Sequence, residues 1–149
     1  MSAQVMHAPD FSSASRPAFT KAVQLAKRER TGLVIVHVMT PPAWVGDGYI
    51  APSTLDEIYR GYRTDAQRKL DAVVARAKAA GVRARGMLLE GIPGEQIRRA
   101  AKTLKPGLIV LGTHGRTGVA RFFLGSVASR VVAGATSLSS PFAASREGR

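Results

Sequence analysis

A glycine-rich segment in the last third of the chain carries the residues best suited to chemistry, with Gly112, Gly115, Gly125 and Ser126 as its fixed points. Glycine adopts positive φ angles and lets the backbone approach a ligand closely, and successive N–H groups in such a turn form an anion-binding concavity. The segment opens a predicted helix, Val127 to Ala133, whose first N–H groups are unpaired and whose dipole favours negative charge. A phosphate group therefore fits at this turn.

The same turn also has a purely structural interpretation, in which the glycines serve tight packing before a helix. Neither the P-loop pattern G-x-x-x-x-G-K-[ST] nor G-x-G-x-x-G occurs in the sequence. Ser126 suits two roles, as a helix cap or as a donor to a phosphate oxygen. Arg116 and Arg121 would add charge-assisted hydrogen bonds, and His114 either contacts a phosphate or is merely exposed.

The elements that must position this turn alternate between apolar strand-like runs and segments of helical period. The sequence predicts four strands, at residues 4–8, 33–39, 82–89 and 108–111. Between them it predicts three helices, at residues 17–30, from a cap at Ser53 or Thr54 to Ala80, and at residues 93–104. Strands alternating with helices predict an α/β, Rossmann-like open parallel sheet with helices on both faces. Ligands of such sheets bind beyond the carboxyl ends of the strands, where the strand order reverses.

Length and composition favour one domain, which we assign to residues 1–134, followed by an atypical tail at 135–149 that reads as coil. The 149 residues include no cysteine, which excludes disulfides and thiolate chemistry. No apolar run approaches the roughly 18 residues of a membrane span, and the N-terminus does not resemble a secretory signal. These features predict a cytoplasmic protein without a membrane span.

The formal net charge of +12 is unevenly distributed. Residues 1–75 contribute +2 and residues 76–149 contribute +10. Such a surplus attracts nucleic acid, anionic lipid or phosphate-bearing ligands, or forms a solvated basic surface. Aromatic residues make up only 6% of the chain and no nucleic-acid recognition motif is present, so nucleic acid is not the favoured partner.

The order Gly112-x2-Gly115-x9-Gly125-Ser126 resembles the ATP-binding motif of the universal stress protein family, G-x2-G-x9-G-[ST]. Further segments resemble the same family. Ala8-Pro9-Asp10-Phe11-Ser12 is similar to the end of its first strand, His37-Val38 to the end of its second, and Glu90-Gly91-Ile92-Pro93 to the turn after its third. Together these matches span roughly residues 4–134.

The resemblance implies a five-stranded parallel sheet of order 3-2-1-4-5, an ATP ligand and the family's usual homodimer. Asp10 would contact the nucleoside, the backbone of Val38 would contact adenine, and the glycine turn would hold the phosphates. Whether Mg²⁺ accompanies the nucleotide stays open. The residues expected at the nucleotide are Ala8, Pro9, Asp10, Val38, Gly112, Thr113, Gly115, Arg116, Gly125, Ser126 and Val127.

Two segments depart from the family pattern. Where the family ends in an apolar strand, the tail at residues 135–149 is small and polar, with Pro141 in its middle. The sequence therefore predicts strand order 3-2-1-4, leaves a fifth strand open, and predicts a weakened dimer, because the last strand commonly builds the family's dimer. The first strand is less apolar than usual, and His7 within it would need a hydrogen-bond partner if buried.

The resulting functional hypothesis is an ATP-binding regulatory switch of the stress-response type. A slow ATPase or phosphotransferase is the enzymatic alternative, but no second carboxylate or base accompanies Asp10 in the sequence. A basic nucleic-acid-binding module is the third alternative, suggested by the charge of the second half.

Overall fold

A computed structural model describes residues 4–9, 11, 16–40, 50–111 and 131–133, the last three by their backbone alone. Strands and helices alternate along the chain. The elements are β1 (Val5–Ala8), α1 (Arg16–Glu29), β2 (Leu33–Met39), α2 (Pro52–Ala79), β3 (Ala84–Glu90), α3 (Pro93–Leu104), β4 (Leu108–Leu111) and β5 (Val131–Ala133). None of the helices in these ranges is both long and apolar enough to cross a membrane.

The five strands form one sheet in the order β3-β2-β1-β4-β5, and every pairing is parallel. The predicted Rossmann-like architecture with order 3-2-1-4 is therefore confirmed. Strand β1 is central and pairs with β2 on one side, with Val5 opposite Leu33, and with β4 on the other, with Val5 opposite Leu108. The two longest strands, β2 and β3, pair along their whole length.

The fifth strand corrects the sequence prediction at residues 131–133. The sequence predicted a helix from Val127 to Ala133 and left a fifth strand open after Gly134. The structure instead pairs Val131 with Ile109 and Ala133 with Leu111. β-branched residues favour strands over helices, and β4 offers a free edge beside them. The rest of the predicted helix and the tail at 135–149 lie outside the described residues.

Two apolar layers cover the two faces of the sheet, because successive side chains of a strand point to opposite faces. On one face α1 and α2 pack against Val5, Leu33, Ile35, Leu108 and Val110, among others. On the other face α3 packs against a second cluster, which contains Met6, Val34, Val36, Val38, Ile109 and Leu111. Helices on both faces are what the near-continuous apolar strands predicted.

Helix α2 begins earlier than predicted. Its N-cap is Ala51, which is extended and makes no side-chain cap hydrogen bond, and Pro52 occupies the first turn. The predicted cap at Ser53 or Thr54 is therefore wrong, because proline suits the first helical position and its missing N–H would be unpaired there in any case. At the other end Gly81 has φ +94°, which agrees with its predicted role as the residue that closes the helix.

Two helices end at a cation in the left-handed conformation rather than at glycine. Arg30 follows α1 with φ +55°, and Lys105 follows α3 with φ +50°. For a residue with a Cβ this conformation costs about 1–2 kcal/mol, whereas a cation at a helix C-terminus recovers only about 0.3–1 kcal/mol from the dipole. Local helix stability alone therefore does not account for Arg and Lys at these positions.

His7 belongs to the central strand β1, and it is fully buried on the side of the sheet that α1 covers. Its Nδ1 donates a hydrogen bond of 3.0 Å to the carbonyl oxygen of Val110 in β4. Its ring also lies 6.1 Å from that of Phe19 in α1. The expectation that a buried histidine here needs a hydrogen-bond partner is confirmed, and the contact ties the two strands that flank the predicted ligand crevice.

Candidate functional site at the carboxyl edge of the sheet

The strand order reverses between β1 and β4, and their carboxyl ends lie side by side. Ala8, the last residue of β1, is opposite Leu111, the last residue of β4. From β1 the chain continues into α1 on one face, and it reaches β4 from α3 on the other face. In open parallel sheets the ligand crevice lies outside the carboxyl ends of the strands, at the point where the strand order reverses.

Three of the predicted site residues lie within the described ranges, and the structure places all three at this edge. Ala8 is the last residue of the central strand, and Pro9 follows it directly. Val38 lies one residue before the end of β2. Ala8 and Val38 face the same side of the sheet as Leu111. The other predicted site residues lie outside the described ranges, namely Asp10, Gly112, Thr113, Gly115, Arg116, Gly125, Ser126 and Val127.

A histidine of β2 anchors the turn that follows β1. The Nδ1 atom of His37 lies 3.4 Å from the carbonyl oxygen of Pro9, and its ring centroid lies 4.1 Å from that of Phe11. Phe11 has φ +66°, a conformation that a bulky residue adopts only when its surroundings hold it there. The contacts fix the backbone on both sides of Asp10. The sequence named His37 only as part of a strand ending, because a contact across 28 positions leaves no local signal.

The turn after β3 is attached to the end of β2 in a similar way. The N–H of Gly91 donates to the carbonyl oxygen of Met39 at 3.1 Å, and the Thr40 hydroxyl donates to the carbonyl oxygen of Gly91 at 3.3 Å. Gly91 has φ +137°, and a Cβ at this position would lie 3.1–3.4 Å from the side chain of Gln96. Only glycine fits this turn without displacing α3 side chains.

A polar cavity of about 320 Å³ opens beside the end of β3, on the first turns of α2. The Arg63 guanidinium lies 3.5 Å from the Glu90 carboxylate, and both side chains are about half exposed. The sequence analysis did not identify this cavity, because its residues come from two distant segments. Asp56, Tyr59, Arg60, Arg63 and Glu90 line it.

The described part of the carboxyl edge supplies backbone groups and the His37 imidazole at the ends of β1 and β2, and a mixed set of acidic and basic side chains in the cavity beside β3. Within these ranges no three His, Asp or Glu residues are grouped to hold a metal ion. Backbone carbonyl and N–H groups at the ends of parallel strands suit the recognition of a planar polar ligand such as a base. The chemistry that this arrangement supports best is binding.

Comparison with known proteins agrees with this architecture. Residues 1–137 match the model of the Universal stress protein family. Universal stress protein MJ0531 of Methanocaldococcus jannaschii is 33% identical over 83% of this chain and 71% of its own length. Universal stress protein YxiE of Bacillus subtilis is 31% identical over 86% of this chain and 90% of its own length.

Solved structures show the same fold. A protein of the universal stress protein family from Burkholderia pseudomallei is 31% identical and covers 82% of this chain and 87% of its own, with a TM-score of 0.66. A universal stress protein in complex with cAMP is 28% identical, covers 84% of this chain and 86% of its own, and has a TM-score of 0.57. Fold neighbours below 20% identity were solved with AMP bound, from Arabidopsis thaliana, and with dAMP, from Archaeoglobus fulgidus.

Proposed function

This chain belongs to the universal stress protein family, and from that membership we propose that it is an ATP-binding regulatory protein whose nucleotide lies at the carboxyl edge of the sheet. The observation that supports the site is the pairing of Ala8 with Leu111 at the reversal of strand order. Residue 112, the first glycine of the motif, follows Leu111 directly. We therefore expect the glycine turn to start beside the end of β1. Asp10 comes two residues after Ala8, the last residue of that strand.

Each part of the nucleotide has proposed partners in this chain. The carboxylate of Asp10 contacts the nucleoside, and the backbone of Val38 contacts adenine, with Ala8 and Pro9 beside it. The phosphates bind to the N–H groups of the turn and to Ser126, with positive charge from Arg116. The proposed phosphate residues are Gly112, Thr113, Gly115, Arg116, Gly125, Ser126 and Val127.

The proposal takes support from the ligands of similar proteins. The universal stress protein that was solved with cAMP is similar to this chain over most of its length, and fold neighbours hold AMP and dAMP. These ligands share the adenine base and a single phosphate group; dAMP lacks the 2′-hydroxyl of AMP, and the phosphate of cAMP is cyclic. We expect ATP to bind more tightly than AMP, because the glycine motif offers N–H donors to additional phosphate oxygens.

Regulation is the proposed consequence of binding. In such a switch, ATP changes the surface that a partner or a second copy recognises. We expect any homodimer to be weak, because the tail at residues 135–149 lacks the apolar strand that commonly builds the family's dimer. We expect the protein to act in the cytoplasm.

Calorimetric titration with ATP, with and without Mg²⁺, tests the nucleotide site. Gly115→Val and Gly125→Val should each abolish measurable binding, because a branched side chain blocks the approach of the backbone to the phosphates. Gly61→Val is the matched control, since nothing lies within 4 Å of a Cβ at that helix position. Undiminished ATP binding by both motif variants would show that the phosphates bind elsewhere. Phosphate release that is lost in Asp10→Asn would indicate the slow ATPase instead.

A further inference from the structure

The amino ends of the strands form a second surface, at the end of the sheet opposite to the crevice. The last turns of α1, α2 and α3 and the starts of β2, β3 and β4 meet there. We call residues 27–33, 78–85 and 102–107 the amino-edge surface; all of them lie within the described ranges. Three short turns build it, and hydrogen bonds from Leu33 N to Arg83 O and from Gly107 N to Gln4 O join them to the sheet.

Positive charge is concentrated on the amino-edge surface. It carries eight cationic side chains and a single carboxylate, Glu29. Among the described residues, the ion pair at this surface is Arg28 with Glu29, at 3.9 Å and largely exposed. Three helix C-termini add about half a negative charge each, which leaves most of the surplus uncompensated. The cations are Lys27, Arg28, Arg30, Lys78, Arg83, Arg85, Lys102 and Lys105.

A groove of about 430 Å³ lies within this surface, with Arg83 and Arg85 in its lining. Arg83 directly precedes β3 and Arg85 is the second residue of that strand. Arg85 reaches past β2 and donates from Nη2 to the Oε1 atom of Gln4 at 3.3 Å. Gly32 also lines the groove, and a Cβ there would meet only the carbonyl oxygen of Arg83, at 3.5 Å. The groove therefore combines two guanidinium groups with an unobstructed floor.

The backbone at this surface gives an independent indication that its charge is not incidental. Arg30 and Lys105 both hold left-handed conformations at helix ends, where glycine is the residue that fits without strain. The third helix end, at Gly81, does carry glycine. Strained backbone is concentrated at functional sites, and here both strained residues are cations of the amino-edge surface.

We propose that the amino-edge surface binds the phosphate backbone of a double-stranded nucleic acid, with one phosphate between Arg83 and Arg85. Planar guanidinium groups match phosphate oxygens in pairs. The surface contains no aromatic residue for stacking on single-stranded bases. A protein partner is less suited, because the exposed large hydrophobic residues of the described part, Tyr62 and Ile92, lie outside this surface. The inference does not depend on nucleotide binding at the opposite edge.

Fluorescence anisotropy with a labelled 20-base-pair duplex of mixed sequence, titrated with the full chain at 50 and 200 mM salt, tests the proposal. Wild-type affinity should fall steeply with salt, because each neutralised phosphate contributes about 0.9 to the slope of log K against log salt. Arg83→Gln with Arg85→Gln should weaken binding at 50 mM salt by roughly tenfold and lower that slope by about 0.9, because the two arginines share one phosphate. Arg30→Gly with Lys105→Gly should also weaken duplex binding and lower the salt slope, although it relieves backbone strain.

The matched control removes two exposed arginines from the other end of the molecule. Arg16→Gln with Arg60→Gln changes the net charge by the same amount and should leave the salt slope at its wild-type value. Equal losses in the control and edge variants would overturn the proposal in favour of attraction by net charge alone, and absence of duplex binding at 50 mM salt would also overturn it. Competitors identify the chemistry: inorganic polyphosphate should displace the duplex, whereas equal displacement by polyglutamate or by phosphatidylserine vesicles would contradict the phosphate-backbone assignment.

Discussion

The two edges of the parallel sheet differ in how the chain turns there and in the charge that it carries. At the carboxyl edge the connections from a strand to the helix that follows it range from two residues, between β3 and α3, to twelve, between β2 and α2, and the rim of the cavity beside β3 mixes acids and bases, such as Asp56, Arg63 and Glu90. At the amino edge three short turns follow helix ends, and cations outnumber carboxylates eight to one. Loops at carboxyl ends bind ligands in such folds, so nucleotide binding does not explain the cations at the far edge.

The comparison indicates two separable surfaces on one scaffold. The proposed nucleotide site depends on backbone geometry at strand ends that His37 and Gly91 hold in place. The proposed function of the amino-edge surface depends on side-chain charge. Substitutions that deform the sheet should therefore impair both functions together, whereas local substitutions should impair one.

The largest expected effect is that of a substitution within the sheet, which should impair both surfaces together. A Cβ at Gly86 would lie 2.9 Å from Leu70 Cγ and 3.0 Å from Val74 Cγ2, and Leu70 is fully buried. We predict that Gly86→Ala lowers the free energy of unfolding by about 2 kcal/mol, as overpacked cores do. Urea denaturation of the variant and of the wild type measures this change in the free energy of unfolding. Gly32→Ala is the control and should cost less than about 0.5 kcal/mol; equal costs would mean that contact with α2 is not the cause.

The same substitution inside α2 and just beyond its C-terminus should have opposite effects on stability. Gly61 lies within the helix with no atom within 4 Å of a Cβ, whereas Gly81 follows the helix with φ +94°. We predict that Gly61→Ala raises the free energy of unfolding by about 1 kcal/mol, through helix propensity. Gly81→Ala should lower it by about 1 kcal/mol, because alanine is strained at positive φ. Thermal unfolding of both variants measures the difference, and changes of equal sign would contradict the assigned backbone conformations.

The smallest expected effect concerns Asp65, an exposed carboxylate in the middle of α2. Hydrogen bonds from Arg68 and Lys69 lower the pKa of Asp65 below its ordinary value of 3.8. A carboxyl whose pKa is lower in the folded state than in the unfolded state stabilises the fold at pH values above its unfolded pKa. This stabilisation is lost as the pH falls through the folded pKa. Asp65→Asn should therefore reduce stability slightly at pH 7 and not at pH 2. Because the pair is exposed, 1 M salt should remove most of the difference; an effect that persists in salt would indicate another cause.

Much of the fold could be predicted because its signals are local. Residues 33–39, 93–104 and 108–111 form the predicted elements with the predicted bounds, since long apolar runs and amphipathic periods depend on few distant contacts. The start of α2 and the strand at Val131–Ala133 differ from the predictions. Helix α2 starts at Pro52 rather than after a cap at Ser53 or Thr54. Residues 131–133 pair with the free edge of β4 instead of continuing a helix.

The candidate site was less predictable from the residues alone. The placement of Ala8, Pro9 and Val38 at one edge follows from topology, and the structure agrees. The contact between His37 and Pro9, and the groove around Arg83 and Arg85, arise from residues that are far apart in sequence. Net charge indicated a basic second half but not its concentration at one edge, because charge carries no information about fold.

The most direct test of the central claim is the amide NMR spectrum of the full chain during titration with ATP. We predict shifts at Ala8, Val38 and Leu111 and in residues 112–127, with Gly32, Arg83 and Gly107 unchanged. Shifts concentrated at Gly32, Arg83 and Gly107 would place ATP at the amino edge and contradict the account. A folded sample whose spectrum does not change at millimolar ATP would contradict nucleotide binding altogether.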